Sequence, residues 1–428
     1  LNVHRIVRTT VLLISLAVSG NGLTGCVSAR VSDREATRLF REGNYDASAE
    51  RLRLGVDKQG DGGRDVLIYL LDLGLALHSA GRLEESNRAL LKADDIADIK
   101  DYTSLAAEGA TLLTSDNLKH YKGEDFEKVL INTYLAINYA VLGKFEDALV
   151  EARRVNRKLE RMVTEGKRKY QQNAFARYLS GILYETERDW DGAYIDYKKT
   201  RELMPDLPLL GRDLWRLARL SGQTDDLDRW EKEFGLSDED KRAAMNPDPR
   251  QGQGEIVVIY ENGISPEKRA NPQFASLPRF FARFNPVRTA TISVRGASLE
   301  AGREQVLHPS ILHDIEATAI AQLEERYGGL VGKKLAGIAA KEIVGNQIGR
   351  ATNSEGLAFL TKIILHASDQ ADLRSWNLLP RDLQLARLTV NPGKYVVRAS
   401  PGGGHALPEK TVQVEAGGKT FVVFRYMP

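Results

Sequence analysis

The sequence predicts an α+β multidomain chain: an N-terminal α-solenoid, a mixed α/β region, and a small β-sandwich-like C-terminus. Three observations predict it. Between residues 30 and 235, segments of similar pattern recur, with small residues at matching helical offsets. After residue 236 the helical period gives way to β-branched runs broken by Asn-Gly and Pro-Gly turns. The charge is balanced, with 60 basic and 58 acidic residues among 428. That balance excludes a nucleic-acid binder, which needs a basic excess.

Residues 1–25 come first. Arg5 and Arg8 precede the apolar run 11–18, and no charge occurs from 9 to 29. This is the layout of a secretory signal peptide, with an apolar core too short for a membrane span. Leu23-Thr24-Gly25-Cys26 resembles the bacterial lipobox. The resemblance implies cleavage before Cys26 and acylation of its thiol and new amino terminus. Each buried CH₂ contributes about 0.8 kcal/mol, so several chains give near-permanent anchoring to a membrane. Val27 follows the cysteine where Asp would retain an enteric lipoprotein in the inner membrane. The resemblance therefore places the chain on the periplasmic face of the cell outer membrane. The alternative is a soluble signal peptide with a chance cysteine. Cys26 is the only cysteine, so the exported domains fold without disulfides and need adequate cores.

Residues 26–235 hold the repeats. The small residues Ala36, Gly74, Ala136 and Gly181 sit on the first helix of each pair. Ser48, Ser86, Ala148 and Ala193 sit on the second. Small residues let the paired helices approach, and Leu90 and Tyr197 are expected to fill the gap between hairpins. Gly43, Gly81 and Gly143 suit the turn between helices, where Arg188 replaces glycine in the last copy. The pattern resembles the tetratricopeptide repeat, a helix–turn–helix unit that stacks into a solenoid; a non-repeat helical bundle is the alternative. Residues 94–128 read as an insertion. Leu214, Trp215, Leu217, Leu227 and Trp230 suggest a partial capping pair.

In tetratricopeptide-like repeats the groove is lined six and three positions before the small residue, and one and four after it. The resemblance assigns those places to Ile68, Leu71, Leu75 and His78, to Leu130, Thr133, Ile137 and Ala140, and to Phe175, Tyr178, Ile182 and Glu185. From these, His78, Thr133, Phe175, Tyr178 and Glu185 are expected to bind a partner. The set is mostly apolar and suits an apolar peptide or helix.

Residues 236–254, rich in charge, Pro, Gly and Gln, read as a linker. The run 255–261 is a buried strand ended by Asn262-Gly263, and 288–295 is a second strand. Residues 309–327 read as a helix with Pro309 in its first turn and Leu312, Ile315, Ala319 and Leu323 as its stripe. A glycine-rich helical stretch follows over 330–366. The mixed α/β region is thus 255–370. The β-rich C-terminal module is 371–428, with strands around Pro392-Gly393, at 411–414 and at 420–424.

Taken whole, the chain resembles a family of uncharacterised bacterial outer-membrane lipoproteins. The residues that carry the resemblance are 23–26, the helix near Ile311, and ADLRSWNLLPRDLQLARL (371–388). Within that last stretch Asp372, Arg374, Trp376, Leu379 and Pro380 match the family pattern. Two roles stay open for Arg374 and Trp376: a cation–π pair at a peptide-binding edge, or a tryptophan packing two domains together.

No motif for catalysis stands out. His308 and His313 are five apart, which aligns metal ligands poorly on a helix, and phosphate-loop and G-x-S-x-G signatures are absent. The expectation is a non-enzymatic protein–protein interaction scaffold of cell-envelope assembly, without cofactor or metal. It would bind envelope proteins through the repeat groove. A regulator of peptidoglycan synthesis and an envelope-polymer hydrolase are the alternatives.

Overall fold

The computed structural model describes residues 33–107, 120–164, 173–207, 210–245, 252–297, 304–352, 370–402 and 406–428. Cys26 and the signal-peptide segment lie outside the described residues.

The helices pair as the repeat pattern requires. They are α1 (Arg34–Arg41) with α2 (Tyr45–Gln59), α3 (Val66–Ser79) with α4 (Leu83–Ala107), α5 (Asp125–Val141) with α6 (Phe145–Thr164), and α7 (Ala174–Thr186) with α8 (Trp190–Leu203). The capping pair is α9 (Leu210–Leu220) with α10 (Leu227–Phe234). At Gly74 an added Cβ would stand 2.5 Å from Leu90, and at Gly181 it would stand 2.3 Å from the Tyr197 ring. The small residues therefore permit the crossings, as read from sequence, but Leu90 and Tyr197 pack on the small residue of their own helix pair and so fill the crossing within the hairpin. The serines add a bond: Ser48 and Ser86 each donate to the carbonyl of the small residue twelve positions earlier, Ala36 and Gly74.

Gly43, Gly81 and Gly143 adopt φ of 78°, 77° and 73° at the inter-helix turn. Arg188 holds φ 58° at the matching place. A left-handed residue with a Cβ costs roughly 1–2 kcal/mol, and glycine returns part of that as unfolded-chain entropy. Arg188→Gly should thus stabilise the protein by about 0.5–1 kcal/mol. Chemical denaturation checks this; a lower midpoint in the variant would contradict it.

The predicted linker contains a helix, α11 (Asp238–Met245). Ser237 starts it. Its hydroxyl accepts from the Asp240 N–H, and Asp240 accepts from the Ser237 N–H, a reciprocal cap. Charge and nearby prolines had suggested a linker, but this local cap decides for a helix.

Among the described residues ten strands follow: β1 (Gly254–Asn262), β2 (Glu267–Ala270), β3 (Pro278–Phe281), β4 (Ala290–Gly296), β5 (Gln305–Leu307), β6 (Ser310–Asp314), β7 (Asp382–Val390), β8 (Gly393–Pro401), β9 (Lys410–Val414) and β10 (Lys419–Arg425). One sheet has the order β10-β1-β7-β6, a second β5-β4-β8-β9, and β2 and β3 form a hairpin. β1 runs parallel to β10 and antiparallel to β7. The regions 255–370 and 371–428 are therefore not separate modules: each sheet draws strands from both.

The helix α12 (Ile315–Thr352) starts after β6, not at Pro309. Residues 310–314 pair with β7 as an edge strand, where the preceding proline costs no ladder bond. Asp314 caps the helix by accepting from the Ala317 N–H at 2.8 Å. Residues 353–366 of the predicted glycine-rich helix lie outside the described residues.

Strand alternation builds three layers. Ile256, Val258, Tyr260, Val422 and Phe424 face the second sheet. Val257, Ile259, Leu383, Leu385 and Phe421 face the solenoid and share one continuous core with its helices. The solenoid's hollow is thus covered by the first sheet.

Candidate functional site

The groove is the natural candidate, and the chain fills it itself. Residues 370–381 form no strand or helix apart from one turn, yet 371–380 are buried or nearly so. Buried main-chain N–H groups need acceptors, and here the repeats supply them. The Trp376 N–H donates to Glu127 at 2.6 Å, and the Leu378 N–H donates to Asp72 at 3.3 Å. Arg374 donates to Asp65 at 2.8 Å and to Asp372 at 2.6 Å. The three points fall on alternate residues, as on an extended peptide. The segment 370–381 is a strap held by the first helices of two successive repeats.

The acceptors share a logic. Asp65 and Glu127 each stand nine residues before the small residue of their repeat (74 and 136), and Asp72 and Tyr134 each stand two before it. Tyr134 meets the Trp376 ring at 5.8 Å and the His78 ring at 5.2 Å. Tyr121 and the Glu124 N–H complete the donors to Glu127, at 2.5 and 2.9 Å.

Further anchors tie the first sheet to the groove. The His78 imidazole bridges Asn138, at 2.5 Å from Nδ1, and Glu261, at 2.9 Å from Nε2. Arg387 on β7 donates to both oxygens of Glu255 on β1, to Asp213 on α9 at 2.8 Å, and to the Tyr178 and Tyr197 hydroxyls. Glu185 accepts from Arg216 at 2.9 Å and from Lys419 on β10 at 3.0 Å. Lys268 on β2 pairs with Glu124 at 2.5 Å, and Arg326 on α12 joins the same carboxylate at 3.1 Å.

The expected partner-binding residues are therefore engaged within the chain. His78, Tyr178 and Glu185 contact the β region, and Phe175 is fully buried in the common core. Thr133 donates to its own helix at Val129, 3.1 Å, and makes no groove contact by that bond. Arg374 and Trp376 sit in the strap, 3% and 1% exposed. Trp376 thus packs two regions together, the second of its two open roles. Capture of a separate peptide in this groove is corrected by that occupancy. The apolar character is corrected too: Asp65, Asp72, Glu127 and Glu185 line the groove and face Arg374, main-chain N–H groups and Lys419.

Burial sets the electrostatics. It pushes the Asp72 carboxyl up to about 8. Burial, then the neighbouring Glu124 charge, raises Glu127 to about 7. Burial also opposes ionisation of Glu124, but Lys268 and Arg326 outweigh it and hold that carboxyl at about 2. A raised acid contributes stability that is full below its unfolded pKa, 3.8 for Asp72, and is lost as pH rises through the folded value. Asp72→Asn keeps an acceptor for the Leu378 N–H and removes this titration. Thermal melts of the parent should therefore drop between pH 5 and pH 8 (approximate bounds of the window) by more than those of the variant. Parallel pH profiles would refute the assignment.

Among the described residues, depressions lie at the α9 end of the groove and on the outer side of the solenoid, besides a smaller one between the β2–β3 hairpin and α12. The first, about 570 Å³, lies between α9 and β7 and includes Arg387, Arg216 and His308. The second, about 540 Å³, lies between α6 and α8. Val150 and Ile195, 44% and 58% exposed, flank it together with Arg153, Arg157 and Arg177. Among the described residues no group of three or more His, Cys, Asp or Glu could hold a metal ion, and no helix is long and apolar enough to cross a membrane.

No family model and no curated protein matches the chain. Among solved structures it is similar to MamA, 15% identical over 46% of this chain and 85% of that one, with a TM-score of 0.30. It is similar to a kinesin light chain from Podosopora anserina with nearly identical TPR-like repeats, 13% identical over 49% and 91% of the two chains, TM-score 0.31. BtubC from P. vanneervenii is 16% identical over 49% and 78%, TM-score 0.31. The repeat architecture of this chain rests on its own helix crossings at Gly74 and Gly181.

Proposed function

We propose that this chain is a lipid-anchored lipoprotein of the uncharacterised outer-membrane family it resembles. It acts on the periplasmic face as a non-enzymatic interaction scaffold for envelope assembly. Leu23–Cys26 supports the anchor. One observation carries the scaffold reading: the groove is closed by the strap, while the outer depression between α6 and α8 leaves Val150 and Ile195 exposed beside arginines. Asp196 and Glu160 already hold Arg177, so a partner's apolar side chain would seat on the two aliphatics while its carboxylate meets Arg153 or Arg157. The partner's docking segment is thus amphipathic and acidic.

The test is in-cell crosslinking of the full-length chain, followed by mass spectrometry, with Val150→Glu/Ile195→Glu as comparison. Both positions are exposed, so the variant should fold as the parent does. A dominant envelope protein lost from the variant is the expected result. An identical set of partners from both chains would rule out this surface. Turnover of purified peptidoglycan by the parent would contradict the non-enzymatic reading.

A further inference from the structure

The hairpin of β2 and β3 is chemically unlike the rest of the chain. The hairpin, Glu267–Phe281, carries Lys268, Arg269 and Arg279 against the single acid Glu267, and the stretch 282–299 adds Arg283, Arg288 and Arg295 with no acid, in a protein whose totals are 60 and 58. Strand alternation divides the hairpin into two faces. Lys268 and Phe280 are cross-strand partners and are buried toward the solenoid. Arg269 and Arg279 are also cross-strand partners, but they are exposed. Like charges directly opposed in a ladder destabilise it. Both guanidiniums lie over the Phe281 ring, at 4.3 and 5.9 Å. Their carboxylate neighbours, Glu267 at 3.6 Å and Glu324 at 3.4 Å, form partly exposed pairs of little strength.

The tip and the flank add bare aromatics. Phe274 sits in the tight turn between the strands, where its N–H donates to Asn271 and its carbonyl accepts from Leu277, and it is 58% exposed. Phe284, just past β3, is 87% exposed, the most open of the large apolar side chains among the described residues. Exposed Arg288 follows it. The two arginines stack on Phe281 and meet Glu267 and Glu324, yet they and the phenylalanine tip stay exposed to solvent. An anionic bilayer surface matches both features: aromatic rings enter the interface while guanidiniums meet headgroup phosphates.

We propose that the β2–β3 hairpin docks this protein onto an anionic lipid surface through Arg269, Arg279, Phe274 and Phe284. The contact is additional to the anchor at Cys26 and does not depend on it. An acyl anchor holds the chain at a membrane, and a basic patch adds attraction to anionic lipids. Here the patch would fix how the tethered molecule lies on the bilayer.

The test is vesicle co-sedimentation of the mature chain from Val27 onward, so that neither an acyl chain nor the basic and apolar stretch of residues 1–25 contributes. Vesicles of phosphatidylglycerol with phosphatidylethanolamine are compared with vesicles of phosphatidylcholine alone. Binding to the anionic vesicles, weakened by salt, is expected. It should fall about tenfold or more in Arg269→Glu/Arg279→Glu, since each basic residue near such a surface matters at about the 1 kcal/mol level. A comparable fall is expected in Phe274→Ser/Phe284→Ser, whose exposed positions leave the fold intact. Equal binding by variants and parent would overturn the proposal. So would equal binding to both vesicle types, or an unchanged phenylalanine variant with heparin bound as well as lipid, which would mark a general polyanion site.

Discussion

Replacing Trp376 with alanine should destabilise the entire chain by about 3–5 kcal/mol, the range for removing a buried aromatic side chain. Domains have about 5–15 kcal/mol in total, so the variant stands close to unfolding. Trp376 falls in that range because its ring is 1% exposed and lies against Tyr134 inside the groove; the main-chain N–H that donates to Glu127 is kept by alanine. The core it belongs to is continuous from α1 to β10. Loss should therefore appear at once in the helical circular dichroism signal and in the β region, as a single transition at lower denaturant. Trp376→Phe should recover a good part of the loss. A variant whose solenoid melts like the parent would show that the strap is not seated in the groove.

Arg387→Met is expected to cost a similar amount, about 3–5 kcal/mol, by a different route. Arg387 is 7% exposed and holds Glu255 and Asp213, one from the sheet and one from the solenoid. Removing it leaves two buried carboxylates facing each other's elements, with Lys419 and Arg216 as the remaining cations. Arg387→Lys retains the charge but loses the fork that serves Glu255 and the two tyrosine hydroxyls together. It should fall between parent and Arg387→Met in a urea titration. An Arg387→Met variant as stable as the parent would mean that this network adds nothing to the union of solenoid and sheet.

What could be read in the sequence was what repeats or alternates. Gly74 and Gly181 announced the crossings because close helix packing allows few residue types, whereas Leu90 and Tyr197 pack within a pair and not between pairs. The β-branched run of β1 announced a strand buried on both faces. Glu185 and His78 were found as groove residues because they occupy the fourth position after the small residue, and that position does face the β region. The occupant of the groove was not legible. Glu127 and the Trp376 N–H are 249 residues apart, and a main-chain donor leaves no trace in side-chain pattern. A signal existed in the acids nine positions before Gly74 and Ala136, which no core role explains. β6 was mistaken for helix because the stripe of α12, through Ile315, Ala319 and Leu323, extends by chance to Leu312. Interleaving of the strands is not legible in the sequence because the parallel pairing of β1 with β10 joins segments that stand 164 residues apart at Glu255 and Lys419.

The central claim is that the strap 370–381 closes the groove, so that partners meet the chain elsewhere. Hydrogen exchange at the Trp376 and Leu378 amides tests it most directly. Neither residue belongs to a helix or strand, so without the groove their N–H groups would exchange at the rate of an open loop. Donation to buried Glu127 and Asp72 predicts protection comparable to that of the α3 and α5 amides. Exchange of both amides at open-loop rates, with α3 and α5 still protected, would contradict the account and return the groove to an external partner.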